Sequence, residues 1–353
     1  MELTTIWFAL IAILWIGYFT LEGFDFGVGM LIPVLGKSEK ERRVMYNSIG
    51  PVWDGNEVWL LTAGGATFAA FPEWYATLFS GFFLPLLLIL VALIVRNLAF
   101  DYRGKKDNDN WRRNWDLAAI VGSFVPAILW GVAFANIVAG VPMKPNPNGH
   151  GALFDGNLFT LLNPYALLGG VLTMGLFLTH GAMFLALKTD GEIRHRARAL
   201  AVKSGLATAV VAVAFMVWTL IKADWEIGAT VVFAVTAVML LGAIFMAVKA
   251  REGWAFIGTF LTIGLAVAGL FTILFPAVMP ASNDPTLSLM AAHDPAVGIS
   301  AASSAYTLTV MTWVAVIFTP IVLIYQSWTY WVFRKRIATH HIPDVDVPAS
   351  VNA

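Results

Sequence analysis

Two short stretches of the sequence concentrate carboxylic acids in apolar surroundings. Glu22 and Asp25 lie in Glu22-Gly23-Phe24-Asp25-Phe26-Gly27, and Asp54 and Glu57 lie in Trp53-Asp54-Gly55-Asn56-Glu57-Val58-Trp59. Each pair is three residues apart, the spacing that puts two side chains on one helix face. An acid at the centre of a bilayer costs at least about 2.5–3.5 kcal/mol. Four in two adjacent apolar segments therefore point to a function: titratable groups that load and release protons along a path. Asn56, Asn97 and Asp101 would extend or anchor that path. A plainer reading also exists. Asp54 and Glu57 could serve a helix N-terminus, or pair with Arg96. It is weaker for Glu22 and Asp25, which sit mid-segment with no cap position. Gly23 and Gly27 form a small-xxx-small pair that admits a neighbouring helix closely.

Other chemistries find little support. The chain has no Cys, which excludes thiolate zinc sites, Fe–S clusters and catalytic thiols in this chain. Of six His, only His180 falls in an apolar segment; His150, His195, His293, His340 and His341 fall in connections or the tail. A lone buried His is more often a hydrogen-bonded contact than a haem ligand. No HExxH, GxSxG or GxxxxGK[ST] pattern occurs. The expectation is that this chain binds no cofactor and no metal, and has no catalytic group of its own.

The elements that must position the acids follow from composition. The 353 residues are 59% hydrophobic and 12% charged, against about 25% charged in soluble domains. Mean hydropathy is +0.75. Net charge is zero, which gives no footprint for nucleic acid. A membrane span needs about 20 mainly apolar residues. Candidates lie near 5–35, 51–71, 75–96, 115–140, 161–187, 204–222, 228–248, 254–279 and 306–333, with Asn47-Ser48 as cap and Pro51 in the first turn of the second. All 22 Lys and Arg except Lys144 and Lys222 then fall on one side, as the positive-inside rule requires. The reading is an all-α polytopic protein with nine transmembrane helices, N-terminus outside and C-terminus cytoplasmic. The first apolar stretch is an uncleaved span, not a signal peptide. Two four-helix units (1–140 and 160–280) precede a ninth helix at 306–333. Trp328, Tyr330 and Trp331 next to Arg334 suggest an inner interfacial belt. Asp54 and Glu57 enter from the basic side, with Glu22 and Asp25 deeper.

A family resemblance rests on the same residues. The chain resembles subunit II of the cytochrome bd quinol oxidases in Gly23-Phe24-Asp25-Phe26-Gly27-Val28-Gly29-Met30, Glu41-Arg42-Arg43, and the run from Asn47 to Leu60. It does so again in Thr62-Ala63-Gly64-Gly65-Ala66, Phe100-Asp101-Tyr102-Arg103, Gly122-Ser123-Phe124-Val125-Pro126, Leu161-Leu162-Asn163-Pro164 and Met311-Thr312-Trp313-Val314-Ala315. The resemblance implies a bacterial cytoplasmic membrane enzyme that reduces O2 to water with electrons from quinol. It implies that haems b558, b595 and d and the main quinol site belong to a partner, subunit I, in a pseudo-symmetric heterodimer, with small single-span subunits in some complexes. It further implies that acids matching Asp25 and Asp54 help deliver protons to the haem d site, and that Trp59 lies by a route for O2. Glu22 stands where some members have Asp, Glu57 where some have Gln, and the 222–228 connection is shorter than in longer members.

The expected role is a haem-free scaffold and proton-delivery subunit, with Asp54, Glu57, Asp25, Glu22, Asp101 and Arg96 on the pathway. A proton-coupled secondary transporter is the rival from another class, although inverted repeats and broken helices are not evident. A purely structural membrane subunit is the third reading.

Overall fold

The computed structural model describes residues 2–147, 149–291 and 298–343; His293 lies outside them. The chain is mostly helical. In order come α1 (Leu3–Leu35), α2 (Glu39–Ile49), α3 (Trp53–Ala70), α4 (Pro72–Gly81), α5 (Phe83–Tyr102) and α6 (Asp109–Ala139). Two strands, β1 (Met143–Pro145) and β2 (Ala152–Phe154), then pair antiparallel. They are followed by α7 (Leu158–Leu161), α8 (Pro164–Lys188), α9 (Glu192–Lys222), α10 (Ile227–Val248) and α11 (Glu252–Leu274). A small sheet of β3 (Ala277–Met279), β4 (Leu289–Met290) and β5 (Ile299–Ser300) precedes α12 (Ala305–Val332). Among the described residues, eight helices are long and apolar enough to cross a membrane. They are α1, α6, α8, α9, α10, α11, α12 and the helix through α5. The 18-residue α3 is not among them, because Asp54, Asn56 and Glu57 dilute its apolar run.

Several boundaries differ from the sequence expectation, and each difference has a local cause. Asn47 and Ser48 do not cap α3. Both belong to α2, where Ser48 donates to Met45 O, and Val52 takes the N-cap position without a side-chain bond. Pro51 lacks an N–H and cannot continue the hydrogen-bond ladder of α2, so α2 stops and α3 starts afresh. The expected span at 75–96 is broken at Phe82, between α4 and α5. The Pro85 ring would clash with the carbonyl four residues back, at Gly81. Helix α8 begins at Pro164, because the Asn163 side chain accepts from Ala166 N at 2.9 Å and proline suits the first helical turn. Helix α11 ends at Leu274 rather than 279, ahead of Pro276.

Helices α8, α9, α10 and α11 pack in a ring, while α1 packs against α3, α6, α8 and α11. Helix α1 therefore stands in one core with helices from both the earlier and the later part of the chain. Close backbone approach makes this possible. A Cβ on Gly27 would meet Phe177 O at 2.0 Å and Gly181 Cα at 2.7 Å. A Cβ on Gly122 would meet Ala92 O and Arg96 Cβ, both at 2.6 Å, which seats α6 against α5 beside Arg96.

The basic connections gather at one end of the bundle. Arg196 bonds Glu41, and Arg103 bonds Glu39 and Asp116, which also accepts from Arg42 and Tyr46. Arg194, Arg198 and Arg336 surround Glu252. Lys188 donates to the carbonyls of Phe333 and Lys335, tying down the end of α12. At the other end, Ser303 N bonds Ala70 O, Thr77 bonds Ala152 O and Asn283 bonds Met143. Helix α12 lies against α1 and α3 and is otherwise bare: Leu308 is its one buried residue.

Candidate functional site

The interior of this bundle contains a charged cluster at the junction of α1, α3 and α5. Arg96 of α5 is fully buried, an exceptional position for a guanidinium. It pairs with Glu22 of α1, also fully buried, and stands 3.6 Å from Glu57 of α3. Its guanidinium lies 4.6 Å from the centre of the Phe26 ring and 5.4 Å from that of Phe100, contacts that favour a cation in a dry site. Asn97, next along α5, donates to Glu57 Oε2 at 2.6 Å. One turn along α1, the buried Asp25 accepts at Oδ2 from Asn56 Nδ2 at 2.7 Å.

Two carboxyl groups, those of Glu22 and Glu57, thus share one guanidinium, and the Asp25 carboxyl lies one turn away. Arg is always protonated, so the cluster can gain or lose protons while Arg96 keeps a partner. Both oxygens of Glu22, Asp25 Oδ1, Glu57 Oε1 and all three guanidinium nitrogens are buried without a hydrogen bond of acceptable geometry. Buried polar groups are normally satisfied. The Arg96–Glu22 and Arg96–Glu57 ion pairs compensate part of the cost of these exceptions, while Asp25 Oδ1 has no protein partner.

The structure brings Glu22, Asp25, Glu57 and Arg96 together and leaves Asp54 and Asp101 outside. Asp54 is exposed in the first turn of α3, and Asp101 is exposed at the end of α5. Pairing with Arg96 therefore holds for Glu57 and fails for Asp54. The Glu57 side chain is 17% exposed and links the buried acids to the surface that Asp54 occupies. Trp59 is half-buried, its indole donating to Gln326 Oε1 at 2.8 Å. Two neighbours had no signal in the sequence. Gln326 carries no motif that singles it out, and Tyr330 reads as part of an aromatic belt. Tyr330 instead turns its hydroxyl to Asn56, while Trp328 and Trp331 remain exposed.

His180 is fully buried, and both its ring nitrogens are engaged. Nε2 donates to Thr20 O at 3.1 Å and Nδ1 meets Thr259 Oγ1 at 2.6 Å, while the ring stacks on Phe256 at 4.7 Å. Neither nitrogen is free to ligate a metal. Among the described residues, no group of three or more His, Asp or Glu could hold an ion.

Comparison with known proteins shows the family of the chain. The family model for cytochrome bd terminal oxidase subunit II matches residues 3–333. The chain belongs to that family. It is 41% identical over 342 residues to cytochrome bd ubiquinol oxidase subunit 2 of Bacillus subtilis, covering 96% of this chain and 97% of that one. It is 40% identical over 370 residues to cytochrome bd-I ubiquinol oxidase subunit 2 of Escherichia coli K12, covering 96% of each. The fold resembles a solved chain of the bd oxidase from Geobacillus thermodenitrificans, with TM-score 0.73 and 17% identity over 95% of this chain and all of that chain. As a subunit II of this family, the chain is part of an oxidoreductase, a terminal oxidase of the bacterial respiratory chain, and is a multi-pass membrane protein. The cluster lies within the matched region, on α1, α3 and α5.

Proposed function

We propose that this chain is the haem-free subunit of a quinol:O2 oxidoreductase, and that its buried acids deliver protons to the O2-reducing centre of a partner subunit. The observation that carries this reading is the cluster of Glu22 and Glu57 around one buried guanidinium, with Asp25 one turn away, reached from the protein surface through Glu57. Asp54 is the entry, Glu57 the next acceptor, and Glu22 and Asp25 the deep sites. Asp101, exposed beyond the cluster, gathers protons at the mouth.

The end that collects the basic connections faces the cytoplasm, in keeping with the positive-inside rule. Nine spans follow if α3 crosses with the rest, its polar start sheltered by a partner. The N-terminus is then outside, and residues 1–140, 160–280 and 306–333 form two four-helix units and a final helix. The family resemblance assigns haems b558, b595 and d to subunit I, with quinol as the electron donor of the complex, and the two engaged nitrogens of His180 are compatible with that assignment. The haems supply the electron transfer and O2 binding. This chain's residues hold and pass protons. Protons drawn from the cytoplasmic side, with quinol releasing its own outside, would generate a proton-motive force. Trp59, on the same helix as Asp54, lines an approach for O2. Small single-span subunits and lipid are the remaining partners.

Asp25→Asn tests the route at its deep end and Asp54→Asn at its mouth. In the intact oxidase, Asp25→Asn should slow O2 consumption on the order of 10²-fold, the lower range for a positioned proton-transfer group. Asp54→Asn should slow it less, because an exposed entry has water as an alternative. Haem spectra should be unchanged in both. Full turnover in the two variants would remove the proton route, and loss of haem would make the acids structural.

A further inference from the structure

Asn56 is an amide with every hydrogen-bonding position in use. Its Nδ2 donates to Asp25 Oδ2 at 2.7 Å and to Leu21 O at 3.3 Å. Its Oδ1 accepts from the Tyr330 hydroxyl at 2.7 Å and from Gln326 Nε2 at 3.4 Å. A carboxamide offers two N–H donors and one oxygen with two lone pairs, so four contacts complete it. A half-turn of the amide would set its oxygen against the Leu21 carbonyl and the Asp25 carboxyl, acceptor against acceptor. The four partners therefore decide which way Asn56 points.

Half of that decision comes from α12, a helix that buries almost nothing else. Gln326 is oriented in its turn by Trp59, whose indole can only donate and which occupies Gln326 Oε1. The string Trp59, Gln326, Asn56, Asp25 thus runs in one direction, each N–H donating toward the acid. Indole and amide groups are poor proton carriers, so the string orients and does not conduct.

We propose that Tyr330 and Gln326 are positioning residues for Asp25, acting through Asn56. Helix α12 holds the Asn56 amide so that it clamps Asp25 Oδ2. Asp25 Oδ1, buried and without a protein partner, is left as the oxygen that takes and gives the proton. This rests on the reading of Asp25 as a proton carrier. It makes the seating of α12 on α3 an input to proton delivery, so that whatever packs on the bare face of α12 bears on Asp25.

The test uses the whole oxidase in membranes. Tyr330→Phe keeps the ring and removes one donor, and Gln326→Leu removes the other. The double variant should retain normal haem content, lose about ten-fold in O2 turnover, the scale of a hydrogen bond to a charged group, and show a shifted pH profile. Tyr330→Phe alone should fall between it and wild type. Added to Asp25→Asn, the pair of substitutions should cost nothing further. Wild-type rate and pH profile in the double variant, with Asp25→Asn slow, overturns the positioning role and leaves the proton route standing. A further loss on the Asp25→Asn background also overturns it, since the residues would then act elsewhere. Full turnover in Asp25→Asn removes the route and this role with it. Should the double variant not assemble, Tyr330→Phe decides by the same readouts.

Discussion

Replacing Arg96 with Met is expected to strip this subunit from the oxidase complex. Glu22, fully buried and paired with Arg96, would be left as an unpaired carboxyl in a dry helix junction. Removing one partner of a buried ion pair costs roughly 3–5 kcal/mol, a large share of the ~5–15 kcal/mol that holds a typical fold together. Glu57 suffers less, because its side chain is partly exposed and keeps the bond from Asn97. The measurement is the yield of subunit in complex purified from membranes, with its midpoint of thermal unfolding. A second variant separates charge from packing. Glu22→Met combined with Arg96→Met removes both charges, and exchanging a buried pair for well-packed hydrophobic groups of similar volume is often close to neutral. The double variant should therefore recover most of the yield. Its turnover should stay low, since a proton site has gone with the charge. If Arg96→Met alone assembles at wild-type yield, the pair does not hold the junction.

The same contrast between local and distant causes governs how much of the protein the sequence revealed. Segments that cross a bilayer must be apolar over a set length, so hydropathy located the long helices. Their ends moved where proline or an asparagine cap intervened, at Pro51, Pro85, Asn163 and Pro276. Acids stand out in lipid because they are costly there, which singled out Glu22, Asp25, Asp54 and Glu57. Spacing could not say which of them would be enclosed. Asp54 and Glu57 are three apart on α3, yet Glu57 turns to Arg96 and Asn97 while Asp54 faces outward. That depends on what stands opposite each, which local sequence does not encode. Tyr330 and Gln326 were hidden for the same reason. Their partner Asn56 lies more than 250 residues earlier, and aromatic residues near Arg334 have a sufficient interfacial explanation.

Gly27→Val should be the most damaging substitution that touches no charge. Its Cβ would stand 2.0 Å from the carbonyl oxygen of Phe177 and 2.7 Å from the Cα of Gly181. Both are backbone atoms of α8, which cannot swing aside as a side-chain tip can. Helices α1 and α8 would have to part. Overpacking of a core typically costs about 1–3 kcal/mol, and a backbone obstacle belongs at the upper end. The damage would also reach the site. Thr20 O on α1 anchors His180, the residue before Gly181, and Glu22 and Asp25 lie within the next one and a half turns. Separation would break that anchor and carry both acids away from Asn56 and Arg96. Gly242→Val is the control, because a Cβ there meets nothing within 4 Å. Heat inactivation of purified oxidase should be markedly faster for Gly27→Val than for wild type, and O2 turnover should fall even in the fraction that assembles. Gly242→Val should match wild type in both. Equal behaviour of the two variants would show that α1 and α8 can separate without consequence, and that their contact does not set the position of the acids.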